Sequence, residues 1–121
     1  MADTFSDGPH EFLALGMSKG SIYLVHVNKL HQLYCRFTIH REEVTQIRQL
    51  HHSDQFVSFA SEYDLCFWRI DKDERMVKVL SNYQVGRNLS FFLVLKQPKC
   101  TDRVWLCFES GDQEVFEYDG S

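Results

Sequence analysis

HREEVTQIRQLHHSDQFVSFASEYDLCFWRI, residues 40–70, is the stretch that decides the fold. Within it QFVSFA (55–60) and LCFWRI (65–70) are short apolar runs, and Ser61-Glu62-Tyr63-Asp64 separates them. Two such runs joined by a short polar turn read as antiparallel strands. The upstream half is ambiguous. In REEVTQIRQL (41–50), Val44, Ile47 and Leu50 recur at every third residue, which also fits one face of a short helix. Ten residues without a capping signal would make a marginal helix, and the internal repeat described below decides for a strand.

Working outward, similar runs fill the chain. Upstream lie FLALG (12–16), SIYLVHV (21–27) and QLYCRFTI (32–39), and downstream MVKVL (76–80), LSFFLVL (89–95), RVWLCFE (103–109) and EVFEYD (114–119). Each is bounded by Gly, Asn, Asp, Ser or a charge cluster, the pattern of an all-β chain of short strands. Ten Phe, five Tyr and two Trp point the same way, because aromatic side chains suit a pleated, half-buried surface. Lys19-Gly20 and Gly111-Asp112 read as hairpin turns, and the charged run 71–75 as a solvated loop.

The runs repeat. FLALGMSKGSIYLVHV, FVSFASEYDLCFWRID and VWLCFESGDQEVFEYD share one order: apolar strand, tight turn, second apolar strand. This register makes Val25, Trp68 and Tyr118 equivalent, 43 and 50 residues apart, with the longer interval assigned to the loop 96–102. Periods of about 40–45 residues with four short strands each are a propeller signature.

Here the chain resembles the WD-repeat β-propellers. His40, Val44, Ile47, the strand 56–60 and Trp68 are similar to the family's spacing of His, apolar pair, second strand and terminal Trp. A second copy places Arg87, Phe91 and Val94 likewise after Gly86 and ends in Tyr118-Asp119; another opens with FSDGPHEFLALGMSKGS. The resemblance implies a propeller segment of about three four-stranded antiparallel blades (residues 5–40, 41–80 and 81–119), the first and last incomplete. Such an open ring implies a fragment or truncated isoform of a longer protein, whose free edges self-associate or pair with missing blades. In the family a polar network of His, Ser or Thr, a turn Asp and the Trp holds a blade. The register above supplies His40 and Trp68 with Ala60 and Glu62 in the middle repeat, Ser110 and Asp112 with Arg87 and Tyr118 in the last, and Met17 and Lys19 in the first. No copy is complete, so apolar packing is expected to hold the blades.

The implied function is a non-catalytic scaffold for other proteins; the alternatives are a purely structural ring-completing segment and a small all-β metal-dependent enzyme. Partners of such propellers dock on the inter-blade loops and on the turns within blades, expected on opposite rims. That selects Arg41, Glu42 and Glu43, with Arg87 and Asn88 in equivalent places. A net charge of −4 supplies no electrostatic footprint for nucleic acid or an anionic membrane, and no apolar run reaches membrane-span length. With no signal peptide visible and no C-x-x-C pair among Cys35, Cys66, Cys100 and Cys107, a reducing cytoplasm is the expected setting. No cofactor is expected. Cys35, His40, His51 and His52 lack the two-to-four-residue ligand spacing of zinc sites, so no metal is expected either. No nucleophile elbow, phosphate loop or H-E-x-x-H motif marks a catalytic centre.

Overall fold

The computed structural model describes residues 2–7, 10–26, 29–50, 55–71, 73–96 and 102–118; side chains are described for 13–25, 32–50, 55–71, 73–95 and 102–118. The described residues form eleven strands in three antiparallel sheets. The first sheet is β1 (Ala2–Asp7), β2 (His10–Gly16), β3 (Ser21–His26) and β4 (Lys29–Thr38), neighbours in that order. The second is β5 (Val44–Gln49), β6 (Gln55–Ala60), β7 (Asp64–Asp71) and β8 (Met76–Gln84). The third is β9 (Leu89–Lys96), β10 (Asp102–Phe108) and β11 (Gln113–Tyr118).

The sheets stack as a propeller segment and do not close into a ring. β5 touches β1, β2 and β9, while β8 touches β4, so the first strand of each sheet lies on one side of the stack and the fourth on the other. Two cores result, one per sheet–sheet junction. Ala14, Ile22 and Leu24 of the first sheet pack on Val44, Ile47, Phe56, Cys66, Trp68 and Ile70 of the second. On the opposite face Val57, Phe59, Leu65 and Phe67 meet Leu89, Phe92, Val104, Leu106 and Phe108 of the third. A middle sheet buried on both faces explains why QFVSFA and LCFWRI read as continuous apolar runs instead of alternating ones.

Three expectations need correction. The first sheet was expected to lack its opening strand, yet Ala2–Asp7 pairs with β2 from Ala2↔Leu15 to Asp7↔His10 and completes four strands. Its polar sequence, ADTFSD, carries no apolar run, so only pairing reveals it as a strand. Second, MVKVLSNYQ continues β8 to Gln84, past the boundary placed after residue 80.

The third concerns register. The residues of positive φ in the turns between second and third strands are Gly20, Tyr63 and Gly111. Five residues beyond them stand Val25, Trp68 and Phe116, paired with Leu13, Phe56 and Val104 in turn. Phe116, not Tyr118, is therefore the counterpart of Trp68. Tyr118 lies two residues on and stacks on Phe67 of the second sheet, with ring centroids 4.0 Å apart. Asp119 is outside the described residues.

The three-residue spacing of Val44, Ile47 and Leu50 also finds its cause. β5 is a strand with an irregularity between Val44 and Gln46, so one residue is unpaired there. That extra residue turns Val44 and Ile47 to the same core, and Leu50, an odd step further, falls in the other.

Candidate functional site

The chemistry-bearing side chains gather where the loop before β5 meets the turn between β6 and β7. His40 leaves β4 with its amide donating to the Gly20 carbonyl at 3.3 Å, and is 2% exposed. Its Nε2 lies 2.7 Å from Ser58 Oγ, and Trp68 Nε1 donates to the same oxygen at 3.2 Å. His40 Nδ1 faces Glu62 Oε1 at 3.6 Å and Asp64 Oδ2 at 3.9 Å, both beyond direct hydrogen-bond length. Glu62 is held by two amides, with Arg41 N donating to Oε2 at 2.7 Å and Glu42 N to Oε1 at 3.1 Å.

Hydrogen-bond accounting fixes one proton of this group. The indole can only donate, so Ser58 Oγ accepts from Trp68 and meets Nε2 of His40 with its own proton or its second lone pair, according to the ring tautomer; with the ring proton on Nδ1, facing the carboxylates, the hydroxyl is the donor. Burial pulls the His40 pKa below its usual value, with the Glu62 carboxylate acting the other way, so the ring is neutral near pH 7. Burial and the neighbouring Glu62 push the Asp64 carboxyl up, against a lowering by Arg41.

The middle blade thus joins His40, Ser58 and Trp68 by hydrogen bonds, while the carboxylates of Glu62 and Asp64 stay beyond hydrogen-bond length of Nδ1. Ser58, not Ala60, supplies the hydroxyl. Ile47 on β5 and Cys66 on β7, both in the core shared with the first sheet, flank Ser58 in the register. Trp68 is further fixed by stacking on Phe56 at 4.6 Å between centroids and by an edge contact with Phe37 at 4.9 Å.

Ser58, His40 and the two carboxylates have the composition of a nucleophilic triad, but their surroundings differ. Ser58 is 0% exposed and its oxygen is shared with the indole, so a substrate carbonyl has no approach. His40, Glu62 and Asp64 also offer ligand atoms within 4.8 Å of one another, the donor types of a hard or borderline cation. Both Glu62 oxygens already accept main-chain amides and the far side of the ring is held by Ser58, so the cluster is built as a lock between loop and turn. Of the residues considered earlier for metal, His51 and His52 lie outside the described residues. Cys66 is buried and its thiol is pushed up to about 12 by burial and by Asp64 and Glu62; burial raises Cys35 as well. Both are inert thiols.

The corresponding corner of the third sheet is polar and exposed. Arg87, expected at the position of His40, stands instead at that of Glu42, because Val85 N bonds Tyr63 O as His40 N bonds Gly20 O and Leu89 pairs with Phe108 as Val44 does with Ala60. It donates from Nη1 to Asp112 Oδ2 at 2.9 Å and lies 3.8 Å above the Phe108 ring. Asp112 is one residue past Gly111, as Asp64 is past Tyr63, so the third sheet keeps the turn aspartate but has the apolar Val85 in the place of His40. Arg87, foremost through its hydrogen bond, holds the Asp112 carboxyl below its usual range, helped by Ser110. Asn88 Nδ2 donates to Glu109, and Glu109 N donates to the Asn88 carbonyl at 3.3 Å.

These bonds overturn the expectation of opposite rims. Ser61 N donates to Glu43 O at 2.9 Å and Val85 N to Tyr63 O at 2.9 Å, so the inter-blade loops and the turns lie together on one rim. Arg41, Glu42, Glu43, Arg87 and the turn residue Tyr63 are all exposed there. Next to them an open cleft of about 390 Å³ lies between β5 and β9, lined by Thr45, Gln46, Arg48, Asn88, Leu89, Ser90 and Phe91. Gln46 Oε1 accepts the Phe92 amide at 3.1 Å beneath it, joining the two sheets.

No protein-family model matches the chain and no curated protein sequence does. Among solved structures it is similar to the β-propeller domain of Cps50 (Swd1) from Myceliophteria thermophila, with a TM-score of 0.64 at 12% identity. The match takes in 99% of this chain and 40% of that one, so this chain spans less than half of the domain it resembles. At that identity the likeness is one of fold. No helix among the described residues is long and apolar enough to cross a membrane.

Proposed function

We propose that the chain is a segment of a WD-repeat propeller and acts as a non-catalytic scaffold that binds other proteins through the rim described above. One observation carries the reading. The triad-like group Ser58–His40–Glu62 is sealed in a core and committed to holding the middle blade, whereas the charged loop and turn residues beside it face solvent. The rim also presents Tyr63, 38% exposed, at a backbone φ of 67°. An exposed aromatic ring among charges is a common anchor of protein interfaces, and holding it in the left-handed region costs about 1–2 kcal/mol. That cost is offset by what the ring does for a partner.

Tyr63→Gly tests this cleanly, because glycine accepts the same φ and removes the ring. Affinity capture from cell extract should lose specific proteins with Tyr63→Gly or Glu42→Lys/Glu43→Lys while the melting temperature holds or rises. Capture unchanged by both variants, or labelling of Ser58 by a serine-directed fluorophosphonate, would overturn the reading. The ring-completing structural alternative is favoured by the apolar outer faces, where Leu33, Phe91, Leu93, Leu95 and Val115 are exposed.

A further inference from the structure

The corner formed by His40, Glu62 and Asp64 has one atom that the lock leaves idle. His40 Nδ1 belongs to a side chain that is 0% exposed, and it meets no hydrogen-bond partner among the described residues. It faces Glu62 Oε1 at 3.6 Å and Asp64 Oδ2 at 3.9 Å, and the three atoms lie within 4.8 Å of one another. Those spans are too long for hydrogen bonds. They come close to the spacing of ligands around one metal ion, since bonds of about 2.1 Å at tetrahedral angles place ligand atoms about 3.4 Å apart. The Asp64 carboxylate accepts no hydrogen bond from the described residues, so it can swing inward to close the set.

We propose that His40 Nδ1, Glu62 Oε1 and Asp64 Oδ2 bind a divalent transition-metal cation, zinc being the best fit, with a water as fourth ligand. The outer partners suit that role. A ligating imidazole is fixed through its other ring nitrogen, and ligating carboxylates are themselves hydrogen-bonded. Here Nε2 lies 2.7 Å from Ser58 Oγ, whose two lone pairs can take the ring N–H and the Trp68 indole together. Glu62 Oε1 accepts the Glu42 amide and keeps a second lone pair, while the Arg41 amide and guanidinium engage the other oxygen, Oε2. Two carboxylates that repel one another are both neutralised by a doubly charged ion. The Asp64 side chain is 13% exposed, which gives a water access from that side. The imidazole selects against calcium and magnesium, which take oxygen ligands. The ion clamps the loop before β5 to the turn before β7, the two segments that the Glu62 bonds already join.

Calorimetric titration of the chelator-treated chain should show zinc chloride binding and no comparable binding of magnesium chloride. Nitrogen NMR of the imidazoles identifies the ligand atom: zinc should shift Nδ1 of His40 while Nε2 carries the ring proton. His40→Gln should abolish this site. Asp64→Asn, at the least constrained ligand, should weaken it by more than about tenfold, since losing even an outer partner of a ligand costs about 10–100-fold. That variant keeps the test decisive where His40→Gln fails to fold. A His40 ring whose nitrogens ignore zinc would overturn the proposal. So would magnesium binding as tightly as zinc, or zinc binding that Asp64→Asn and Glu62→Gln both leave unchanged, which would place the ion on other side chains.

Discussion

Ser58 is the residue on which the middle blade turns. Its oxygen serves the Trp68 indole and the His40 ring together, and all three side chains are shut away from water. Ser58→Ala leaves the indole donor and Nε2 without partners in a dry core, so it should destabilise the chain by about 1–3 kcal/mol in chemical denaturation. Trp68→Ala should cost more, about 3–5 kcal/mol, because a large cavity opens between Phe56 and Phe37. The network also sets a pH dependence. The His40 pKa is lowered from 6.5 in the folded chain, so below 6.5 the unfolded chain binds the extra proton and stability falls with pH. Asp64, raised from 3.8, acts with the opposite sign: its contribution is full below 3.8 and is lost as pH rises through its raised value. Between that value and 6.5 Asp64 no longer contributes, and the change that His40 brings is read by comparison with a variant that lacks it. Melting temperature should drop across this window in the wild type and flatten in His40→Gln. Ser58 was hidden in the sequence because Ser58 and Ala60 share one face of a strand, and alternation cannot tell positions two apart.

At the scale of elements, the turns between second and third strands set the register. Gly20 has φ +86° and an added Cβ there would sit 2.0 Å from the His40 carbonyl oxygen. Gly111 has φ +95° but open space around it. Gly20→Ala should therefore cost about 3 kcal/mol or more and disturb the loop that carries His40, whereas Gly111→Ala should cost about 1 kcal/mol, the φ strain alone. Tyr63 fills the same turn position, and Tyr63→Gly should be neutral or stabilising by about 1 kcal/mol in thermal melts. This residue explains the misread register. Glycine marks the turn in the outer copies and tyrosine masks it in the middle one, so the copies could not be aligned on their turns. With Tyr63 recognised, the intervals become 43 and 48 residues, and Phe116 takes its place opposite Val104. The strands themselves were legible as apolar runs between turn residues, β5 included once the repeat was seen. β1 was not, because its pairing comes from backbone groups and leaves no trace in ADTFSD.

The whole molecule is a stack of three sheets in which the middle one is the best determined. It is covered on both faces, locked at one corner by Ser58, His40 and Trp68, and tied to β4 by Arg75, whose guanidinium lies 4.8 Å over Tyr34 and donates to the Tyr34 carbonyl at 3.2 Å. The outer sheets each have one covered face, so amide exchange should be slowest in β6 and β7 and faster in β11, an edge strand. The rim proposed for partners depends on this stacking. Its direct test is a nuclear Overhauser spectrum of the chain with labelled aromatic rings. Cross-peaks between Phe37 and Trp68 and between Phe67 and Tyr118 are the predicted result, one pair for each sheet–sheet junction. Intact strand pairing with both sets of cross-peaks missing would contradict the account, because the sheets would then not be stacked as blades.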